Sequence, residues 1–143
     1  MVRIELMDWE RARAEASRIR FKVFVEEQRV PRDMEMDEMD ARCVHALAYS
    51  ADGRVMGTGR LLPDGHIGRM AVLSEWRGKG IGGEMLERLV AAARERGDAE
   101  VALSAQTHAL EFYRRHGFNE EGEVYEEAGI PHQVMRMILL PAT

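Results

Sequence analysis

The stretch that decides the fold lies at residues 77–82 and reads Arg77-Gly78-Lys79-Gly80-Ile81-Gly82. It follows the apolar run 70–73 and a short loop, and it opens a strongly helical segment, 81–96. The order is therefore strand, glycine-rich turn, helix. Such a turn presents backbone N–H groups without internal partners at the positive end of a helix dipole, where phosphate binds. We predict an anion site here and call residues 77–82 the anion turn.

Glycine and basic residues both suit this role. A side chain would block the close approach of a phosphate, and some turn positions need a positive φ. Arg77 and Lys79 add positive charge at the same mouth.

Two familiar phosphate motifs are not matched in full here. The P-loop needs Lys-Ser/Thr after its last glycine, whereas Gly82 is followed by Gly83 and Glu84. The dinucleotide fingerprint G-x-G-x-x-G matches residues 78–83 by letter, but it also requires an acidic residue that closes a second strand about 20 residues further on, and none does. What remains is R-x-x-G-x-G after an apolar strand. This resembles the acetyl-CoA pyrophosphate loop of the GNAT N-acetyltransferase family.

Two further segments carry the same resemblance. Residues 23–28 are similar to the "VFV-x-EQ" segment of small bacterial GNAT proteins, and residues 112–118 read "FY-x-x-x-GF", as in the second GNAT signature. The resemblance covers nearly the whole chain and is strongest from His66 to Phe118. It implies one N-acetyltransferase domain over residues 1–143. The implied α+β GNAT fold has a mixed central sheet of about six to seven strands, about four flanking helices and a splayed strand pair.

The residue pattern predicts the main elements independently. Apolar residues recur every three or four positions over 9–26 and over 81–96, which predicts two amphipathic helices. Gly57 and Gly59 indicate a bulge or a close approach within their strand. The strands expected are 2–6, 44–49, 54–62, 66–73, 101–105, 123–125 and 134–139, the fifth parallel to the fourth and the last two linked by a loop over 127–132.

Composition narrows the class of protein. The formal net charge is 20 − 25 = −5, which argues against broad nucleic-acid binding by the surface. Cys43 is the single cysteine, so no internal disulfide is available, and we expect a plain, partly buried thiol. No apolar run approaches the ~20 residues of a membrane-spanning helix. We expect a cytoplasmic protein with no membrane or nucleic-acid partner and no metal.

Acetyl-CoA is the cosubstrate that the resemblance implies. Its pyrophosphate would bind the anion turn, and the amides of its pantetheine arm would pair with an open strand edge as an added strand does. The oxyanion of the reacting thioester would be met by the backbone N–H of Ala71 or Val72. The cofactor-binding residues expected are Met70, Ala71, Val72, Arg77, Gly78, Lys79, Gly80, Ile81 and Gly82.

The reaction implied is attack of an amine on a thioester carbonyl. Tyr113 matches the tyrosine that many GNAT enzymes place beside the thioester sulfur, so we expect it to protonate the leaving thiolate, with Ser104 as a weaker alternative. The amine must lose a proton before it attacks. His66 falls where some family members have a water-activating glutamate and is our candidate base. The alternatives are His45, His132, which we expect in a loop, Glu26, Glu27 or water alone.

The acceptor substrate is the part of the expected reaction that the sequence defines least. The acidic run 34–40 alternates with methionines and is either a solvated segment or a rim that attracts a cationic amine. We expect an N-acetyltransferase acting on a primary amine of a small molecule, peptide or protein. The alternative is a non-catalytic acyl-CoA-binding sensor or regulatory module. Family members often form homodimers, so a homodimer is one expected state.

Overall fold

Seven strands fall into two sheets in the part of the chain that the computed structural model describes, residues 2–31 and 37–139. All neighbouring strands within each sheet are antiparallel. One sheet has the order β1-β2-β3-β4 and the other β5-β7-β6. The strands are β1 (Arg3–Met7), β2 (Val44–Tyr49), β3 (Val55–Leu61), β4 (Ile67–Val72), β5 (Glu100–Gln106), β6 (Asn119–Glu127) and β7 (Ile130–Ile138).

Three α-helices accompany these strands in the described residues: α1 (Trp9–Arg20), α2 (Ile81–Arg96) and α3 (Leu110–Arg115). Asp8 begins α1 by accepting a hydrogen bond from the Arg11 N–H at 3.1 Å. The same helix runs on as a π-helical segment, Phe21–Glu27, and a short 3-10 helix, Glu38–Arg42, precedes β2. None of the described helices is long and apolar enough to cross a membrane.

Helix α2 provides the centre of the core. Met85, Leu86 and Leu89 are completely buried. The helix lies very close to β3 because two glycines face it: a Cβ at Gly57 would come within 2.9 Å of Met85 Cε, and one at Gly59 within 3.2 Å of Leu89 Cδ1. The prediction of a bulge or of a close approach by another backbone is confirmed, because a Cβ at Gly57 would also lie 2.9 Å from the backbone oxygen of Ala71, and the β3–β4 register shifts at Gly59.

The two sheets separate between β4 and β5, as the resemblance implied. Among the described residues, backbone pairing between the two sheets is limited to a parallel bridge between His66, just before β4, and Ala102, where the Ala102 N–H donates to the Gly65 carbonyl at 3.2 Å. Further along the described chain, β4 pairs with β3 and β5 pairs with β7. Each strand therefore leaves one edge open, and the open edges face a wedge-shaped gap.

A bulge in β4 lies next to this gap. The register steps from Thr58–Ala71 to Arg60–Gly68, so Arg69 and Met70 together oppose Gly59. Arg69 has a φ of 51°, a left-handed conformation that is costly for a residue with a Cβ. The bulge interrupts the regular ladder between β3 and β4, and both of its residues, Arg69 and Met70, line the gap.

The end of the chain differs from the sequence prediction. The last two strands were expected over 123–125 and 134–139, but they cover 119–127 and 130–138 and are joined by a tight turn at Ala128 and Gly129, which have φ values of 53° and 77°. The expected loop over 127–132 is therefore wrong, and His132 lies within β7. The boundaries expected for β2 and α2 are confirmed.

Candidate functional site

The anion turn ends in an uncapped helix. Gly78 and Gly80 have φ values of 78° and 80°, and Gly80 stands at the N-cap of α2 with no side chain bonded to the first turn. The first intrahelical bond runs from the Glu84 N–H to the Gly80 carbonyl at 3.1 Å. The amides just before it point out of the helix end, so they are available to an anionic ligand.

Arg77 and Lys79 differ in this turn. Arg77 donates from Nε to the Val72 carbonyl at 2.8 Å, and its guanidinium pairs with Glu27 at 2.9 Å. Lys79 is exposed and has no ion pair within the described residues. Arg77 therefore links the anion turn to β4 and to the π-helical segment, and Lys79 keeps its charge free at the mouth.

A cleft of about 620 Å³, which we call the turn cleft, opens beside the anion turn. Its lining includes Val72, Trp76 and Phe112. Arg115 of α3 adds a second exposed cation without an ion pair among the described residues, and the sequence analysis did not identify it. Its place within the signature at 112–118, two positions after Tyr113, is the signal that could have found it.

A second cleft of about 600 Å³ fills the gap between β4 and β5, and we call it the strand cleft. Met70 lines the strand cleft and Val72 lines the turn cleft, so residues 70–72 connect the two. A long ligand bound at the anion turn can thus run along this strand edge into the gap. The polar residues of the strand cleft are Gln28, Arg60, His66, Arg69, Ser104, Gln106, His108, Tyr113, Glu127 and His132.

Strand alternation decides which amides of β4 face the gap. The Leu73 N–H donates to the Met56 carbonyl of β3 at 2.9 Å, so Ala71, two residues earlier, also directs its N–H toward β3. Val72 then directs its N–H toward the open side, in agreement with the bond from Arg77 to the Val72 carbonyl. Of the two oxyanion donors expected, Val72 faces the gap and Ala71 does not.

Tyr113 lies on α3 and lines the strand cleft. Its ring packs edge-on against Phe112 and Phe118, with centroid distances of 5.0 and 6.1 Å. Burial raises the pKa of the Tyr113 hydroxyl to about 12, and that hydroxyl has no hydrogen-bond partner among the described residues. The side chain is therefore a protonated donor at neutral pH, free to give its hydrogen bond to a ligand.

The structure separates the candidate bases. His45 is only 1% exposed, lines neither cleft and holds the Asp40 carbonyl at 2.8 Å through Nε2; burial lowers its pKa. Glu27 is paired with Arg77, and Glu26 lines neither cleft. His66 does line the strand cleft, but its side chain is 53% exposed and Nδ1 lies 3.2 Å from the Asp64 carboxylate.

His132 has a different environment. It is 7% exposed, lines the strand cleft and stacks on the Tyr125 ring with a centroid distance of 6.1 Å. Its Nδ1 lies 2.7 Å from the Ile130 carbonyl. Ser104 lines the same cleft, and its hydroxyl is hydrogen-bonded to the Tyr125 hydroxyl.

Of the three acids in the described part of the acidic run, Asp37 and Asp40 are held by arginines and Glu38 is exposed. Asp40 is 2% exposed and accepts from both terminal nitrogens of Arg20, at 2.8 and 3.0 Å. Arg60 bridges Asp40 and Asp37 at 2.8–2.9 Å, and Arg69 of the bulge reaches Asp37 at 3.3 Å. We call Arg20, Asp37, Asp40 and Arg60 the arginine cluster; residues 34–36 of the run lie outside the described residues.

This cluster neutralises the acidic charge that was expected to attract a cationic amine. The hydrogen bond from Arg60 lowers the pKa of Asp37 to about 2, so this carboxylate stays ionised and bound to its arginine. Its role is to hold the chain before β2 against β3 and the bulge of β4. The attraction of a cationic acceptor therefore has no support from Asp37 or Asp40.

Comparison with known proteins defines the class. The family of acetyltransferase (GNAT) domains matches residues 11–139. The chain belongs to this family, whose members use acetyl-CoA or another acyl-CoA as cosubstrate. The split sheet is thus the fold of a family of acyl-CoA-dependent N-acyltransferases.

Individual relatives span nearly the whole chain. The uncharacterized N-acetyltransferase YjcF of Bacillus subtilis is 37% identical over 121 residues, which cover 82% of this chain and 86% of that protein. An acyl-CoA N-acyltransferase structure from Pseudomonas aeruginosa is 33% identical, with a TM-score of 0.85 and coverage of 96% and 99%. The structure of ElaA from Escherichia coli is 28% identical, with a TM-score of 0.85 and the same coverage.

Proposed function

We propose that this protein moves an acetyl group from acetyl-CoA to a primary amine by direct attack of the amine on the thioester. The observation that carries the proposal is the continuity of the two clefts along residues 70–72. One end offers uncapped helix amides to a diphosphate, and the other offers a protonated tyrosine and several polar groups to a reacting carbonyl. An extended thioester with an anionic tail fits that arrangement.

Acetyl-CoA would bind from the anion turn inward. Its pyrophosphate would accept hydrogen bonds from the amides of residues 80–83, with Lys79 and Arg115 as exposed cations beside it. The pantetheine amides would pair with the open edge of β4. The Val72 carbonyl on that edge already accepts from Arg77, so Arg77 would have to release it where a pantetheine amide takes its place.

The chemistry would take place in the strand cleft. The amine nitrogen forms a bond to the thioester carbonyl carbon, and the negative oxygen of the tetrahedral intermediate accepts from a β4 amide that faces the gap. When the C–S bond breaks, the electron pair stays on sulfur, and Tyr113 gives the thiolate a proton. A proton from the attacking nitrogen replaces the one that Tyr113 has lost. The amine must lose one further proton, and His66 remains a candidate for the base that accepts it.

Two measurements test this function. Amide NMR of the anion turn should show shifts on titration with CoA, and CoA should compete for the site better than ADP does. Release of free thiol from acetyl-CoA should then be followed with ethanolamine, putrescine, lysine, glycinamide and hydroxylamine as acceptors. Unchanged amide signals at saturating CoA would overturn the binding site; binding without thiol release from any acceptor would favour the non-catalytic sensor.

A further inference from the structure

The hydrogen bond made by His132 fixes which of its nitrogens carries the proton. A carbonyl oxygen can only accept, so the contact of 2.7 Å to the Ile130 carbonyl requires a proton on Nδ1. In the neutral ring, Nε2 is then an unprotonated acceptor. A ring locked in this tautomer is prepared to take a proton at Nε2.

Nε2 of His132 is available to accept a hydrogen bond or a proton from a ligand. Nε2 has no hydrogen-bond partner among the described residues, yet it is not among the atoms sealed from the surface. The residue is 7% exposed and lines the strand cleft, where the proposed reaction would take place. His132 therefore brings to this cleft a ring nitrogen whose acceptor capacity no described residue uses.

The other histidines of the strand cleft lack this arrangement. His66 is half exposed and pairs with a neighbouring carboxylate, and His108 is exposed with its Nε2 occupied by the Gln106 side chain at 2.7 Å. His132 is held on one side by the β-sheet register with Gln106 and on the other by the Tyr125 ring. Of these three rings, only that of His132 is buried, has its tautomer fixed by a hydrogen bond and keeps a ring nitrogen without a hydrogen-bond partner among the described residues.

We propose that His132 is the catalytic base of this reaction and that its Nε2 takes a proton from the attacking amine. This rests on the proposed function and names a residue for a step that it leaves open. The nitrogen of an alkylammonium ion first gives one proton to Nε2 of His132, which releases it to solvent. As the C–S bond breaks, Tyr113 gives its proton to sulfur, and the nitrogen gives a second proton to Tyr113. The net products are the amide, the free thiol and one proton.

The first test uses a substitution that separates support from chemistry. His132→Asn keeps a side-chain N–H close to the position of Nδ1, so it can still bond the Ile130 carbonyl, but it has no counterpart of Nε2. With the best alkylamine of the panel, kcat/KM at neutral pH should fall about 100-fold, while the melting temperature and the CoA affinity stay near those of the parent.

Two comparisons make this test decisive. Hydroxylamine is already unprotonated at neutral pH, so its rate should fall much less than that of the alkylamine in His132→Asn. The alkylamine-to-hydroxylamine rate ratio should therefore fall in His132→Asn more than in His66→Gln.

Each result has one meaning. If the parent is active and His132→Asn keeps both its alkylamine rate and its alkylamine-to-hydroxylamine rate ratio, the inference is wrong although the acyltransferase function stands. If this ratio falls in His66→Gln instead, His66 is the base. If the unsubstituted protein transfers an acetyl group to no amine, the proposed function is refuted, and the assignment of His132 as its base is refuted with it. Long-range ¹H–¹⁵N spectra supply a readout without turnover, because a proton on Nε2 of the neutral ring would contradict the tautomer.

Discussion

The turn cleft and the strand cleft meet at residues 70–72 but are built in different ways. The anion turn is a run of consecutive residues, and it acts through backbone amides at the end of one helix. The strand cleft is assembled from side chains of the π-helical segment, β3, β4, β5, α3 and the β6–β7 turn. A local motif therefore specifies the anion turn, whereas the strand cleft forms only when segments that are distant in sequence pack together.

The largest effect should come from breaking the support of the strand cleft at a distance. Asp40→Ala leaves Arg20 buried without the carboxylate that accepts from both of its terminal nitrogens. Removing one partner of a buried ion pair costs about 3–5 kcal/mol, so urea unfolding should show a loss of that size. Glu15→Gln is the control, because the Glu15–Arg18 pair is exposed and should change stability by about 0.5 kcal/mol or less. Equal losses in both variants would mean that the arginine cluster does not hold the fold.

The second effect concerns chemistry in the strand cleft. Tyr113→Phe removes the hydroxyl whose raised pKa keeps it protonated, and kcat should fall about 100-fold with little change in acetyl-CoA affinity. Because the pKa is about 12, loss of the Tyr113 proton should cause no fall in rate between pH 6 and pH 10. Tyr49→Phe is the matched control, since Tyr49 lies on β2 and lines neither cleft. Thiol release that is equal in the two variants would remove Tyr113 from the mechanism.

A smaller effect is expected at the anion turn. Gly80→Ala and Gly53→Ala place a Cβ at nearly the same conformation, with φ values of 80° and 84° and open space around both. Each should cost about 1–2 kcal/mol of stability because the left-handed region disfavours a Cβ. Only Gly80→Ala should also raise the Kd for acetyl-CoA, about tenfold, because only its Cβ would lie in the proposed phosphate site. Calorimetric titration of the two variants checks this, and a matching loss in Gly53→Ala would show that the effect is general.

The smallest effect is a dependence of stability on acidity. The pKa of Asp37 in the folded protein is about 2, below its ordinary value of 3.8. A lowered pKa adds stability above the ordinary value and loses it as pH falls through the folded value, so this contribution should disappear between about pH 4 and pH 2. Urea unfolding at pH 5, 4 and 3 should show a shallower decline in Asp37→Asn than in the parent. An unchanged decline would show that other carboxylates account for it.

The sequence was most informative where structure is local. The apolar spacing of α2 and the glycines at 80 and 97 fixed both ends of that helix, since αL glycines stand at each boundary. The anion turn and its neighbouring strand followed from a contiguous motif. The separation of β4 from β5 came from family resemblance alone, because no local pattern records the angle between two strands.

The errors lie where partners are far apart in sequence. All nine residues of β6 are exposed, so no apolar alternation marked the strand, and hydrogen bonding to β7 holds it instead. Asp40 looked like a solvated acid, yet each of its two arginines lies 20 residues away, on opposite sides along the chain. The tautomer of His132 depends on the carbonyl of Ile130, which begins β7 in a segment that was expected to be a loop.

The bond from Arg77 to the Val72 carbonyl has a consequence for solubility. The split between the sheets leaves β4 with an unpaired edge, and such edges recruit strands from other molecules and promote aggregation. By occupying an acceptor on that edge and placing a charge beside it, Arg77 makes intermolecular strand addition less favourable while the site is empty. The separation that admits a ligand is thereby protected against unwanted self-association.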